Sequence, residues 1–319
     1  MFTDVRFGRP LPVRDEIDAA ESGNGYALRM VVANHLLFSD LTRALASIGH
    51  RYLPNSTAKK IAYWFGANPV SVSRAIPTSY KLNGRMVSRF LDQEFSRPYH
   101  IRLSRPQVCV KCLDEFGYAS AVWDISLITC CVRHKVQLID RCLKCARVIS
   151  WRRPDLWTCH CRADFRLMET SSADFSSLWL SSQLEHLILS AARPATENGL
   201  SLRILSMLGT DVLLRVIRAL GISESESSDD IVPGRLTRVL TSIEAQEVVG
   251  RAFLRMSQIL AATSRDADVP ALHVKELCDL RADVVRRDEI ALGHILNAIS
   301  TRDGQYAVLK PVTSQLSLL

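Results

Sequence analysis

No stretch of the 319 residues approaches the run of about 18 apolar residues that an α-helical membrane span requires, so an integral helical membrane protein is excluded. The opening residues, MFTDVRFGRPLP, have no apolar core of the length a secretory signal needs, and the expected location is the cytoplasm. A Gly-rich loop for cradling phosphates is absent, which argues against ATP or GTP hydrolysis. So are a Gly-x-Ser-x-Gly elbow and a His-Glu-x-x-His helix. The scattered carboxylates Asp114, Glu115 and Asp124 read as solvated faces rather than as an acidic nuclease cluster. The expectation is a protein that is not an enzyme, with no catalytic residue.

What the chain has instead is cysteine in one place. Eight of its nine cysteines lie between residues 109 and 161, and seven of them form a ladder with one histidine. The ladder reads Cys109-x-x-Cys112, Cys131-x-x-His134, Cys142-x-x-Cys145 and Cys159-x-Cys161. Residues separated by one or two others share a tight turn, and two such turns can surround one ion. Eight soft ligands fill two tetrahedral zinc shells with no position left over. A closed shell is structural, whereas a catalytic zinc keeps a position open for water. Taken in chain order, Cys109, Cys112, Cys131 and His134 make one site, and Cys142, Cys145, Cys159 and Cys161 the other. This order closes shorter loops than an interleaved pairing, which stays open as the alternative. Cys130 adjoins Cys131 and either can be the ligand; Cys131 keeps the two-residue gap to His134 and is preferred. His160, between two proposed ligands, reads as non-ligating. A disulfide framework would need an oxidising compartment, and Cys278 reads as an ordinary core cysteine.

The formal charge is +7, and its location says more than its size. From Arg97 to Arg166 there are thirteen Lys and Arg against six Asp and Glu, so this segment carries the whole surplus. Seven thiolates and two zinc ions would bring it to a net charge of about +4, which permits phosphate contacts without requiring them.

The expected fold is mainly α, in three parts. Residues 1–96 form a helix-turn-helix-like N-terminal bundle, residues 97–166 a tandem zinc-finger or ribbon module with short β-hairpins, and residues 167–319 a helical domain with an acidic linker at 222–234. Helices are expected from about Asn24 to Phe38, from a cap at Ser39 or Asp40 to Ile48, and from Ser56 or Thr57 through Phe65. After Gly66 and Asn68-Pro69, the segment Val70–Ile76 resembles a recognition helix, which would put Ser71, Ser73 and Arg74 on the reading face. Further helices are expected over Phe175–Arg193, Leu200–Leu220, Arg235–Ala262 and Val269–Ile299, with apolar stripes that read as core.

A family resemblance follows from particular residues. Leu11-Pro12-Val13-Arg14, Glu21-Ser22, Gly25-Tyr26 and Leu28-Arg29 look like the opening of TniQ proteins. The likeness continues through Arg105, Cys109-x-x-Cys112-Leu113, Gly117-Tyr118, Trp123, Thr129, Cys131-x-x-His134, Leu138 and the last four cysteines. It covers residues 8–165, about half the chain. Val110 and Val132 stand where the family usually has proline, and Arg162 where it usually has glycine.

The resemblance implies a DNA-transposition accessory protein that selects target sites without chemistry of its own. Such a protein connects a target-recognition complex to the transposon's AAA+ ATPase regulator. In CRISPR-associated transposons that complex is an RNA-guided effector with its guide RNA, and the family member often docks as a head-to-tail homodimer. The expected cofactors are two structural Zn2+ ions, and the expected partners are the ATPase regulator, a CRISPR effector complex and target DNA, with no membrane. Ser71, Ser73, Arg74, Arg102, Arg105, Arg152 and Arg153 are the candidate contacts to nucleic acid or a partner. The competing expectation is a zinc-containing helix-turn-helix regulator that binds one DNA sequence directly.

Overall fold

The computed structural model describes residues 8–45, 50–82, 84–195, 199–222, 238–261, 274–283 and 288–300. The acidic segment 223–230, the surrounding residues to 237, residues 269–273 and the side chain of Cys278 lie outside that description. The architecture is mainly α, with small antiparallel sheets. It divides into two compact units: residues 1–191 with 239–245, and residues 192–238 with 246–319.

The first unit opens with α1 (Gly23–Ala33), α2 (Phe38–Leu45), α3 (Ala58–Phe65) and α4 (Pro69–Arg74). Helix α1 stops earlier than its apolar pattern suggests. The Asn34 side chain donates to the carbonyls of Met30 and Val13, both at 2.9 Å, and His35 turns left-handed at φ 57°. Helix α2 begins before its expected cap. Asp40 lies inside the first turn, where its carboxylate accepts from the Leu37 N–H at 3.1 Å, the backward half of a capping box. Gly66 ends α3 at φ 80°, a conformation that costs a residue with a Cβ about 1–2 kcal/mol. Asn68 then caps α4, accepting from Val70 and Ser71, with Pro69 at the first helical position. Gly23 lets α1 approach the residues that follow α4: a Cβ there would lie 2.4 Å from the Ile76 side chain.

A three-stranded antiparallel sheet follows, absent from the expected elements: β1 (Thr78–Leu82), β2 (Arg85–Phe90) and β3 (Gln93–Phe95), paired in that order. The sequence carried its signal in Asn83-Gly84, a strong hairpin dipeptide. The second turn is Leu91-Asp92 at φ 49° and 62°, the paired positive values of a tight hairpin turn. Next come α5 (Val110–Phe116), a second small hairpin of β4 (Cys130–Cys131) and β5 (Val136–Gln137), and α6 (Phe175–Leu189).

The N-terminal motif and the cysteine region share a core. Glu21 pairs with Ser120 as a β-bridge, Ser22 N–H donates to the Ala119 carbonyl at 2.8 Å, and Ala121 N–H to that of Ala20 at 2.7 Å. The Ser22 hydroxyl donates to Asp124 at 2.6 Å across 102 residues of chain. Asp124 is buried, contrary to the solvated face expected of it. Burial pushes its carboxyl up to about 7, against the hydrogen bond from Ser22 and the charges of Arg102 and Arg153. Glu21 is fully buried and takes a bidentate pair from Arg29, with both contacts at 2.9 Å.

The second unit holds α7 (Leu200–Ser206), α8 (Thr210–Gly221), α10 (Val274–Asp283), α11 (Glu289–Ser300) and most of α9 (Ser242–Ala261). The single helix expected over Leu200–Leu220 is two. Gly209, a poor helix former, directs its N–H to the Asp288 carboxylate at 2.7 Å and caps α8. The helix expected from Arg235 starts at Ser242, because Thr241 and Glu244 form a capping box: Thr241 N–H to Glu244 at 2.7 Å and Glu244 N–H to the Thr241 hydroxyl at 3.2 Å. Arg215 is 2 % exposed and reaches Glu276 at 2.5 Å and Asp283 at 3.3 Å, an ion-paired triad inside this unit.

Candidate metal centres

Each proposed ligand pair sits on a turn that the local chain enforces. Cys109 is the residue before α5 and Cys112 lies on its first turn, with the Leu113 N–H donating back to the Cys109 carbonyl at 3.0 Å. Cys131 ends β4, and the chain turns through His134 so that Lys135 N–H meets the Cys131 carbonyl at 2.8 Å. Ala146 N–H meets the Cys142 carbonyl in the same way at 2.8 Å, and Arg162 N–H the Cys159 carbonyl at 2.9 Å. The residue after the second ligand of each of these three turns is left-handed: Lys135 at φ 53°, Ala146 at 57° and Arg162 at 68°. This accounts for the glycine that the resemblance led one to expect at position 162.

The turns come together in chain order. Cys109, Cys112, Cys131 and His134 form one cluster and Cys142, Cys145, Cys159 and Cys161 the other, each with ligand atoms within 4.8 Å of one another. In the first, Cys112 Sγ lies 3.5 Å from Cys131 Sγ and 3.2 Å from His134 Nδ1, and Cys109 and Cys131 are each 3.6 Å from that nitrogen. In the second, Cys142–Cys161 and Cys145–Cys159 are both 3.7 Å. A tetrahedral shell with Zn–S bonds near 2.3 Å has edges of about 3.8 Å between sulfurs and about 3.5 Å from sulfur to nitrogen. Both clusters fit one tetrahedral ion each, with four donors apiece.

The histidine tautomer is set by a neighbour. His134 Nε2 lies 3.0 Å from Glu115 Oε2, so Nε2 carries the proton and Nδ1 is left bare toward the sulfurs. Arg133 holds the same carboxylate at 2.5 Å and lies over the Phe116 ring at 4.6 Å. Sequence spacing gave no sign of Glu115 in this role; its position on the turn of α5 facing His134 supplies it. Adjacent strand residues point to opposite faces, which separates Cys130 from Cys131. Cys130 is buried against α6, its thiol 3.4 Å from the Ser181 hydroxyl, and burial pushes that thiol up to about 12. His160 is outside both clusters, 3.3 Å from the Ser150 hydroxyl.

The candidate contact residues divide by burial. Arg102 is 2 % exposed and donates to the Asp140 carboxylate at 3.2 Å and the Leu240 carbonyl at 2.7 Å. Asp140 also accepts from the Ser242 N–H at 3.0 Å, so Arg102 fastens residues 240–242 to the first unit. Arg153, also 2 % exposed, donates to the carbonyls of Ser150 and Leu156 and lies over the rings of Trp151 and Phe165. Burial brings its guanidinium down to about 10. These two arginines face the core of the described structure. Arg105 and Arg152 are exposed. Ser71 is exposed, but Ser73 donates to Asn55 at 3.1 Å and Arg74 pairs with Asp92.

The two clusters, built into a helical unit that shares its core with the N-terminal motif, are candidate metal centres. Residues 12–138 match the family model TniQ: that segment is a TniQ domain, and the family assignment rests on it. The family belongs to DNA transposition and the selection of its targets. The match takes in the first metal cluster and ends before the second. No curated protein sequence matches the chain. Among the described residues no helix is long and apolar enough to cross a membrane.

Proposed function

We propose that this protein is a transposition adaptor: it connects a target-recognition complex to the transposon's AAA+ ATPase regulator, works in the cytoplasm as a homodimer, and catalyses nothing itself. The observation that carries this reading is the TniQ domain over residues 12–138. In elements that carry a CRISPR system, the recognition complex is the RNA-guided effector; target DNA is reached through it. The proposed division of labour gives residues 1–96 and 97–166 the recognition and scaffold roles, with residues 167–319 as the helical partner domain.

Both centres are proposed to hold zinc, with Cys109, Cys112, Cys131 and His134 binding one ion and Cys142, Cys145, Cys159 and Cys161 the other. Zinc bound there supplies cross-linking, not Lewis-acid chemistry, because each donor set is complete. The chain's own residues orient the ligands: Glu115 holds His134, and left-handed residues close the turns of Cys131–His134, Cys142–Cys145 and Cys159–Cys161.

Co-purification of the protein with the ATPase regulator tests the adaptor role. The wild-type chain is expected to retain the regulator, and the double variant Cys109→Ser, Cys142→Ser to lose both metal and regulator. Normal recruitment by a metal-free variant, or no association by the wild type, would overturn it. The alternative, direct reading of one DNA sequence by α4, is less favoured. That helix has six residues, and the Ser73 and Arg74 side chains are engaged within the fold.

A further inference from the structure

Beside the second metal cluster lies an open-sided pocket of about 310 Å³ with an unusual charge distribution. Arg51, Arg105, Arg147 and Arg152 line it together with the hydroxyl-bearing Ser104 and Ser150, and no carboxylate does. All four arginines are exposed, and none is ion-paired among the described residues. They come from separate places: the segment before α3, the loop before α5, the Cys142–Cys145 turn and the strand-like stretch after it. Arg152 is positioned by one N–H donated to the His50 carbonyl at 2.5 Å, which leaves its remaining donors available.

We infer that this pocket binds the phosphodiester backbone of a nucleic acid. Four like charges around one cavity repel each other and favour an anion there. The planar guanidinium fork matches phosphate oxygens in pairs, and the serine hydroxyls add neutral donors. Among the lining residues the one aromatic ring is that of His160, with no phenylalanine, tyrosine or tryptophan, so stacking of bases is minor beside the four guanidinium groups. Recognition is therefore of the backbone and independent of sequence. The open side lets a polymer pass, and the excess of basic residues in this part of the chain extends the attraction beyond the pocket. This inference does not depend on the adaptor role, since its readout is binding by the protein alone.

The test is fluorescence anisotropy of the metal-loaded, full-length protein with a 20-base-pair DNA duplex and a single-stranded RNA of equal length, both of arbitrary sequence. If four phosphates are neutralised, the duplex Kd rises about 150-fold between 50 and 200 mM salt; with two arginines removed the rise falls to about 12-fold. Arg147→Gln with Arg152→Gln is expected to show that flatter slope and weaker binding at 50 mM salt. Arg51→Gln with Arg105→Gln, away from the metal ligands, should do the same and serves if the first pair fails to fold. Arg203→Gln, at an exposed position of α7, should change nothing. Loss of slope with either probe supports the pocket. No binding of either probe at 50 mM salt, wild-type slopes in both folded double variants, or an equal loss in Arg203→Gln would each overturn it.

Discussion

Glu115→Ala is expected to loosen one metal centre and leave the other untouched. The Glu115 carboxylate is 3.0 Å from His134 Nε2, and it is the group that fixes the proton there and turns Nδ1 toward Cys109, Cys112 and Cys131. Without it the imidazole can rotate and protonate on either nitrogen, so part of the ordering that metal binding needs is no longer prepaid. Carboxylates in this position raise metal affinity by about 10- to 100-fold, which is about 1.4–2.7 kcal/mol. Glu115 is 39 % exposed and shares its charge with Arg133, so water and the neighbouring cation both screen it. The lower end, about tenfold, is the expected loss. Competition with a chromophoric chelator reads it directly. One equivalent of metal should leave at about one-tenth the wild-type chelator strength, and the second at the wild-type value. Glu115→Gln should fall between, because the amide oxygen still accepts from Nε2 without a charge. Release of both equivalents as in wild type would refute the assigned role, and a joint shift of both would mean that the two centres unfold as one.

The Asp124 carboxyl stands at about 7 in the folded chain, above its value in an unfolded one. A raised folded-state value means stability is present at low pH and is lost as pH climbs toward 7; between pH 5.5 and 7 the wild type should lose about 2 kcal/mol relative to Asp124→Asn. Denaturant unfolding of both proteins across that window checks it, and parallel profiles would sink the reasoning. Arg162 sits at φ 68°, so Arg162→Gly should raise the unfolding midpoint by the equivalent of about 0.5–1 kcal/mol once the added freedom of the unfolded chain is subtracted. An unchanged or lowered midpoint would show that the Arg162 side chain compensates for its backbone.

The legible parts of this protein were the local ones. A gap of one or two residues between ligands reports a turn, and the structure groups the eight ligand residues as the spacing orders them. The helices of both units were visible in apolar spacing, but their ends were not. Asn34, Gly209 and Thr241 set those ends through bonds to a carbonyl, a distant aspartate and a capping glutamate. The three-stranded sheet is faint in the sequence because its strands are short and many of their residues are exposed.

By itself the sequence determined the candidate donors, the pairing of their turns, the concentration of positive charge around them and the TniQ likeness. These properties belong to neighbours along the chain. Only the tertiary structure decided which charges meet solvent. Arg102 and Arg153 are enclosed while Arg105, Arg147 and Arg152 share an open pocket, although all five lie in one basic stretch of sequence. It also decided that Ser22 would satisfy Asp124 from 102 residues away. The physical reason is desolvation: whether a charge keeps its water depends on segments that pack over it, and those segments are remote in sequence.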